Sequence, residues 1–164
     1  MLCKEIMGNH IVLRQLSSVY YTEYIDMFSL QVQSLLHASA QGELDYLQER
    51  LEKMEEEKTF FYCIFSTENN KLIGAIEIRN EHESAGQLYI WLNEQYWGAG
   101  LYQEAIRLCS QEYFKHTNKP FFTAHVDISN RRSYLALKKC GFAEFGFYKG
   151  PRGRQYDLVL RKKA

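Results

Sequence analysis

The chain has no Cys-x-x-Cys pair, only two prolines, no net charge and no long apolar run. Each absence removes a class of protein. Its four cysteines, Cys3, Cys63, Cys109 and Cys140, are scattered, which excludes a zinc ribbon or a compact disulfide framework. Reduced thiols in an intracellular protein are the simpler expectation. The histidines, His10, His37, His82, His116 and His125, are equally dispersed, so no metal site is expected. Lys and Arg total 20 and Asp and Glu total 20. A nucleic-acid binder usually carries a basic excess, so no nucleic-acid partner is expected. The apolar runs fall far short of the roughly 20 residues that span a bilayer, and the first residues carry no secretory pattern. A cytoplasmic protein without a membrane partner is the expectation. Pro120 and Pro151 stand alone and no Ser/Gly-rich linker divides the chain, so residues 1–164 read as a single domain. At this length about 68–70% of the unfolded surface can be buried.

What is present is ordinary globular composition, 46% hydrophobic and 24% charged, with 12 tyrosines that suit wet aromatic walls around a pocket. Alternation and β-branched or aromatic content predict strands near 11–14, 60–65, 72–79, 88–92, 121–126, 142–148 and 156–160. Helical spacing predicts one helix from Ser17 or Ser18 to about His37, a second after Gly42 and a third over 101–113. A fourth, over 130–140, ends at Gly141. The charge run around Glu49, Arg50 and Glu52 reads as a solvated helix face, or alternatively as an acidic lip for a cationic substrate. The fold class is α/β of the mixed α+β kind: a central mixed sheet with helices on both faces.

The loop Gln95-Tyr96-Trp97-Gly98-Ala99-Gly100 lies between a strand and a helix beginning at Leu101. Glycines permit close backbone approach to a ligand, and the first amides of a helix favour an anion. Such a loop suits a phosphate or pyrophosphate. It is neither a Walker A loop nor a dinucleotide fingerprint, and a purely structural turn is the alternative.

The stretch Tyr89 to Ala105, with Gln95, Gly98 and Gly100 in a Gln-x-x-Gly-x-Gly pattern, resembles motif A of the GNAT superfamily of acyl-CoA N-acyltransferases. Asn130-x-x-Ser133 and Leu137-Lys138-Lys139-Cys140-Gly141-Phe142 resemble a later motif of its RimJ/RimL-like branch. The resemblance implies a GNAT fold with two neighbouring strands, 88–92 and 121–126, that splay apart around acetyl-CoA. It implies pantetheine pairing near Trp91, Leu92 and Asn93. Pyrophosphate would lie on Gln95, Tyr96, Trp97, Gly98, Ala99, Gly100 and Leu101. Asn130 would bond the pantetheine arm, and Ser133 and Leu137 would line its thiol end. The implied activity is transfer of an acetyl group to a primary amine on a protein N-terminus, a polyamine or a small molecule. That acceptor is the expected partner, and the protein would be a monomer or homodimer.

Three residues are catalytic candidates. Glu77 alternates with Ile76 and Ile78 and is the first candidate for general base; a solvent-facing strand glutamate is the alternative. Ser133 matches the branch's proposed proton donor to the thiolate; a helix-surface or capping serine is the alternative. His125 ends a strand flanking the cofactor and titrates near neutrality; a packed histidine is the alternative. Glu77, Gln87, Tyr89 and Tyr148 are the candidate substrate contacts, with Arg152 and Arg154 beside Tyr148 at the last turn. Two positions depart from the family pattern. Gln87 stands where relatives often carry glutamate, and Leu137 stands where other branches carry a tyrosine acid. A non-catalytic CoA-binding or regulatory protein of the same fold is therefore the rival reading.

Overall fold

The computed structural model describes residues 3–81, 85–150 and 153–163, the side chain of Tyr148 excepted. One eight-stranded sheet runs in the order β1-β2-β3-β4-β5-β6-β8-β7. Its strands are β1 (Glu5–Met7), β2 (Ile11–Gln15), β3 (Thr59–Ser66), β4 (Leu72–Arg79), β5 (Gly86–Leu92), β6 (Phe121–Asp127), β7 (Ala143–Gly150) and β8 (Gly153–Arg161). All neighbouring pairs are antiparallel except β5–β6. The helices are α1 (Tyr21–Met27), α2 (Leu30–Leu36), α3 (Ala40–Glu55), α4 (Leu101–His116) and α5 (Arg131–Lys139). Among the described residues no helix is long and apolar enough to cross a membrane.

Strand alternation divides the core into two layers. In β3, Phe60, Tyr62 and Ile64 face α4, with Ala105, Ile106, Cys109 and Tyr113. Phe61, Cys63 and Phe65 face the opposite layer, with Tyr24, Phe28, Val32 and Leu47 of α1–α3 and the α1–α2 link. The expected alternation fails at the start of β4. Pairing jumps from Ile64↔Gly74 to Phe65↔Leu72, and this bulge moves Leu72 to the face opposite Ile76.

The single first helix expected to reach His37 is two helices. Ser29 ends the run: its hydroxyl accepts from Val32 N at 3.2 Å and donates to Glu94. Asn93 ties the same break to the far end of β5 by donating from Nδ2 to Met27 O at 3.0 Å. The split thus lets α2 turn across the end of the sheet. A second correction concerns α3. Arg50 is not on a solvated face but only 4% exposed, where it pairs with Glu77 and Glu81.

Candidate active site

The parallel strands β5 and β6 pair only at Gly86↔Phe122 and Gln87↔Thr123. Beyond these rungs they diverge, as the resemblance implied. Asn93 N donates to Ile73 O at 2.9 Å, and Trp91 is the Cα partner of Ala75. In an antiparallel ladder alternate residues face alternate neighbours. The backbone of Trp91 and Asn93 therefore belongs to β4, while that of Ile90 and Leu92 turns toward the gap. This corrects the expectation that Trp91 and Asn93 offer their backbone there. Asn93 is an anchor, 6% exposed, whose side chain also accepts from Gln95 N at 3.1 Å. Trp91 is among the residues lining the larger cavity there, and its indole, packed on Tyr24 and Phe28, donates to Tyr24 Oη at 3.0 Å.

Two cavities meet at this gap. The larger, about 710 Å3, runs between Trp91, the loop and α5. Its floor is shaped by Gly98 at φ 83° and Gly100 at φ 77°, values that L side chains adopt only with strain. A Cβ at either position would meet no atom within 4 Å, so the glycines serve backbone conformation and not packing. Trp97 pins the loop by donating from Nε1 to Leu92 O at 2.9 Å. Gly100 caps α4 without a side-chain hydrogen bond, which leaves that 16-residue helix with its first amides directed at the loop. Tyr96, Trp97, Gly98 and Gly100 line the cavity. Gln95, Ala99 and Leu101 line neither cavity, and Leu101 packs on the core.

Opposite the loop stand Arg131, Arg132 and Lys139 of α5, all missed in the sequence reading. The Arg132 guanidinium lies 4.6 Å from the Trp97 ring centroid. Two arginines in the first turn of a helix oppose its dipole; that misfit was the available signal of an anion site. Uncapped amides, left-handed glycines and three cations form a donor set that fits a diphosphate.

The smaller cavity, about 370 Å3, is lined by Arg79, Gln87, Tyr89, His125, Asp127 and Gln155, among others. His37 closes it from the end of α2, with Nε2 3.4 Å from Asp127 Oδ2. His125 stands between two partners: its Nδ1 is 3.3 Å from Gln87 Nε2 and its Nε2 is 3.4 Å from Asp157 Oδ1. The Tyr89 phenol donates to Glu43 at 3.1 Å. Burial pushes the Glu43 carboxyl above its ordinary range, although the bonds from Tyr24 and Tyr89 work against that shift.

Glu77 corrects the first candidate for general base. It is 0% exposed and lines neither cavity. Its carboxylate accepts from Tyr46 and Thr59 and contacts Arg50 and Arg79 at 3.4 Å each. This is neither a cleft-facing base nor a solvent-facing residue but the centre of a buried polar network.

Ser133 and Asn130 line both cavities. Asn130 Oδ1 caps α5 by accepting from Ser133 N at 3.2 Å, so that oxygen is already engaged. Leu137, 1% exposed, forms part of the smaller cavity's wall. The Tyr148 side chain and Arg152 lie outside the described residues. Arg154 stacks 5.8 Å from the Phe147 ring centroid and lines neither cavity.

The profile of the acetyltransferase (GNAT) domain family matches residues 10–143. No curated protein matches the chain in sequence. Solved structures do match it in fold. A ribosomal-protein-S5-alanine acetyltransferase from Vibrio fischeri is 18% identical, with 96% of each chain covered and a TM-score of 0.80. An acetyltransferase from Salmonella typhimurium described as modifying the N-terminal serine of ribosomal protein L7/L12 is 15% identical. It superposes with a TM-score of 0.83 over 95% of this chain and 97% of that one. The microcin C7 self-immunity acetyltransferase MccE, solved with acetyl-CoA and AMP, is 16% identical over 94% of each chain, at a TM-score of 0.79. With its splayed strands, its glycine loop and a profile match over most of its length, the chain belongs to the GNAT acetyltransferase family.

Proposed function

We propose that the protein transfers the acetyl group of acetyl-CoA to a primary amine by direct attack in a ternary complex, in the cytoplasm. The acceptor is a protein N-terminus, a polyamine or a small-molecule amine. One observation carries this reading: a cation-lined cavity and a separate polar cavity share a wall where β5 and β6 part. Such a wall is where a thioester held from one side meets an amine entering from the other. The two ribosomal-protein acetyltransferases of the same fold favour a peptide N-terminus among the candidates.

In this reading the α4 amides, Arg131, Arg132 and Lys139 hold the phosphates of the acyl donor. Leu92 N–H faces the gap and serves the oxyanion. An alkyl ammonium has a pKa of about 10.4 and no lone pair, so the acceptor must lose a proton before it attacks. His125 is the proposed recipient, directly or across one water. Gln87, Tyr89 and Arg79 form the walls that orient the acceptor. Ordering both reactants in one gap lowers the barrier by several kcal/mol, roughly 7–11 in ideal cases.

Calorimetry with acetyl-CoA, followed by a mass-shift screen of N-terminal peptides, polyamines and small amines, tests the proposal. Saturable binding and acetylation of one amine class are expected. Binding with no turnover on any class would move the protein to the non-catalytic reading. Failure to bind CoA or acetyl-CoA at millimolar concentration would remove both.

A further inference from the structure

The two cavities share six lining residues: Leu35, Leu36, Ile90, Tyr102, Asn130 and Ser133. Three carry polar side chains, and Asn130 already spends its amide oxygen on Ser133 N. The remaining two form a pair. Tyr102, in the first turn of α4, places its hydroxyl 2.9 Å from Ser133 Oγ, in the first turn of α5. No sequence pattern joins them, since 31 positions separate the two residues.

We propose that Tyr102 is a positioning residue for Ser133: its hydroxyl fixes and polarises the serine that the family resemblance places at the departing thiolate, so that the pair presents one O–H to the sulfur. This deepens the acetyl-transfer reading and rests on it. It also gives the site a tyrosine hydroxyl from α4 where Leu137 leaves α5 without one.

The hydrogen-bond count supports this role. A pair of hydroxyls holds two hydrogens and uses one between them. Whichever oxygen donates internally, one O–H remains for the cavity. When Tyr102 donates to Ser133, the bond polarises the serine and strengthens its own donation. Burial raises the Tyr102 phenol, so it stays protonated and remains a donor. In the transfer step the amine nitrogen bonds the thioester carbon and the carbon–sulfur bond breaks. The electron pair of that bond stays on sulfur, where the serine hydroxyl meets it. His125 already holds the proton that the ammonium lost before attack; the second proton, lost as the amide forms, passes through water to the sulfur, so the thiol leaves neutral.

The titratable or charged groups around the junction come from several elements. They are Arg79 (β4), Tyr89 (β5), Tyr96 (the loop before α4), His125 and Asp127 (β6), His37 (the end of α2), and Arg131, Arg132 and Lys139 (α5). Cys140 adjoins Tyr102 electrostatically, and burial pushes its thiol up to about 11. A Tyr102→Phe change replaces none of them and keeps the ring.

The test needs no acceptor. The thiol of CoA is titrated by thiolate absorbance while bound to the wild-type protein, to Tyr102→Phe and to Ser133→Ala, each against its own protein alone. A donor at the sulfur lowers the thiol's pKa. The wild type should ionise bound CoA below the pH at which free CoA ionises, and both variants should raise that pH. The double variant should behave as Ser133→Ala does. With an amine identified, Tyr102→Phe should lower kcat about tenfold, the scale of one lost hydrogen bond, while KM for acetyl-CoA changes less than about twofold. An unshifted titration in Tyr102→Phe or in Ser133→Ala, with CoA still bound, would overturn the pairing and leave the acetyl-transfer reading standing. No binding of CoA by the wild type would overturn both.

Discussion

His125 and Asp157 are directly opposed across the β6–β8 ladder, with imidazole Nε2 3.4 Å from carboxylate Oδ1. That oxygen is buried and has no hydrogen-bond partner among the described residues, so the imidazole beside it is an electrostatic neighbour. The arrangement favours a proton on Nε2 and leaves Nδ1 as the acceptor, toward Gln87 and the smaller cavity. A carboxylate that holds a histidine tautomer is a recurring device in proton transfer. Gln87, which cannot itself take a proton at neutral pH, contacts His125 Nδ1 at 3.3 Å and must give way before the imidazole can accept one.

Asp157→Asn should therefore slow turnover by about 10–100-fold without weakening acetyl-CoA binding, and His125→Asn should slow it by about 100-fold or more. The pH profile of kcat/KM checks the assignment. His125→Asn should flatten the acid limb, and a limb that survives intact would assign the base elsewhere.

Gly100 holds φ at 77° and leads straight into α4. A Gly100→Val change would force a β-branched residue into the left-handed region, at a cost of about 1–2 kcal/mol. If the loop instead reshapes, the amides leave the phosphates. The expected result is a dissociation constant for acetyl-CoA raised about tenfold or more, measured by calorimetry, with the melting temperature nearly retained.

Glu77 yields a stability prediction in place of a catalytic one. Glu77→Ala would strand Arg50, which is 4% exposed, and would leave Tyr46 and Thr59 without their acceptor. Removing one partner of such a buried pair costs about 3–5 kcal/mol. Glu49 and Glu81 still contact Arg50, which places the loss toward the lower end. Denaturant unfolding reads this directly. Glu77→Gln, which retains one oxygen acceptor, should fold, bind acetyl-CoA and keep the wild-type pH–rate profile.

Glu43 makes stability depend on pH. Burial holds its carboxyl above the ordinary range, so the folded protein binds this proton more tightly than the unfolded chain. Its contribution is then lost as pH rises from the unfolded value through the raised folded one. Glu43→Gln carries no such term. Relative to wild type, that variant should gain stability as pH rises above the ordinary glutamate value of about 4.3, as read by denaturant midpoints at several pH values.

Much of the sheet was legible because β-strand alternation is local. Phe60 to Phe65 points alternately to two cores, and a residue-by-residue reading catches that. The glycine loop was legible for the same reason: a turn, two glycines and a helix start are consecutive. The break at Ser29 was less so. Its hydroxyl caps α2 as local chemistry allows, but it also bonds Glu94, far away in sequence. Arg50 and Glu77 misled for a related reason. Charged side chains on an amphipathic helix and on an alternating strand read as exposed, and here each is buried because the other element supplies its partner.

The sequence by itself determined the family, the order of strands and helices from β3 onward and the glycine loop at the start of α4, all of which depend on neighbours within a few residues. Only the tertiary structure decided which side chains meet at the gap. β8 inserts between β6 and β7, and this insertion puts Asp157 opposite His125. The docking of α4 beside α5 brings Tyr102 to Ser133. These meetings depend on strand order and helix placement, which are set by the burial of two whole core layers and leave no local periodicity to read.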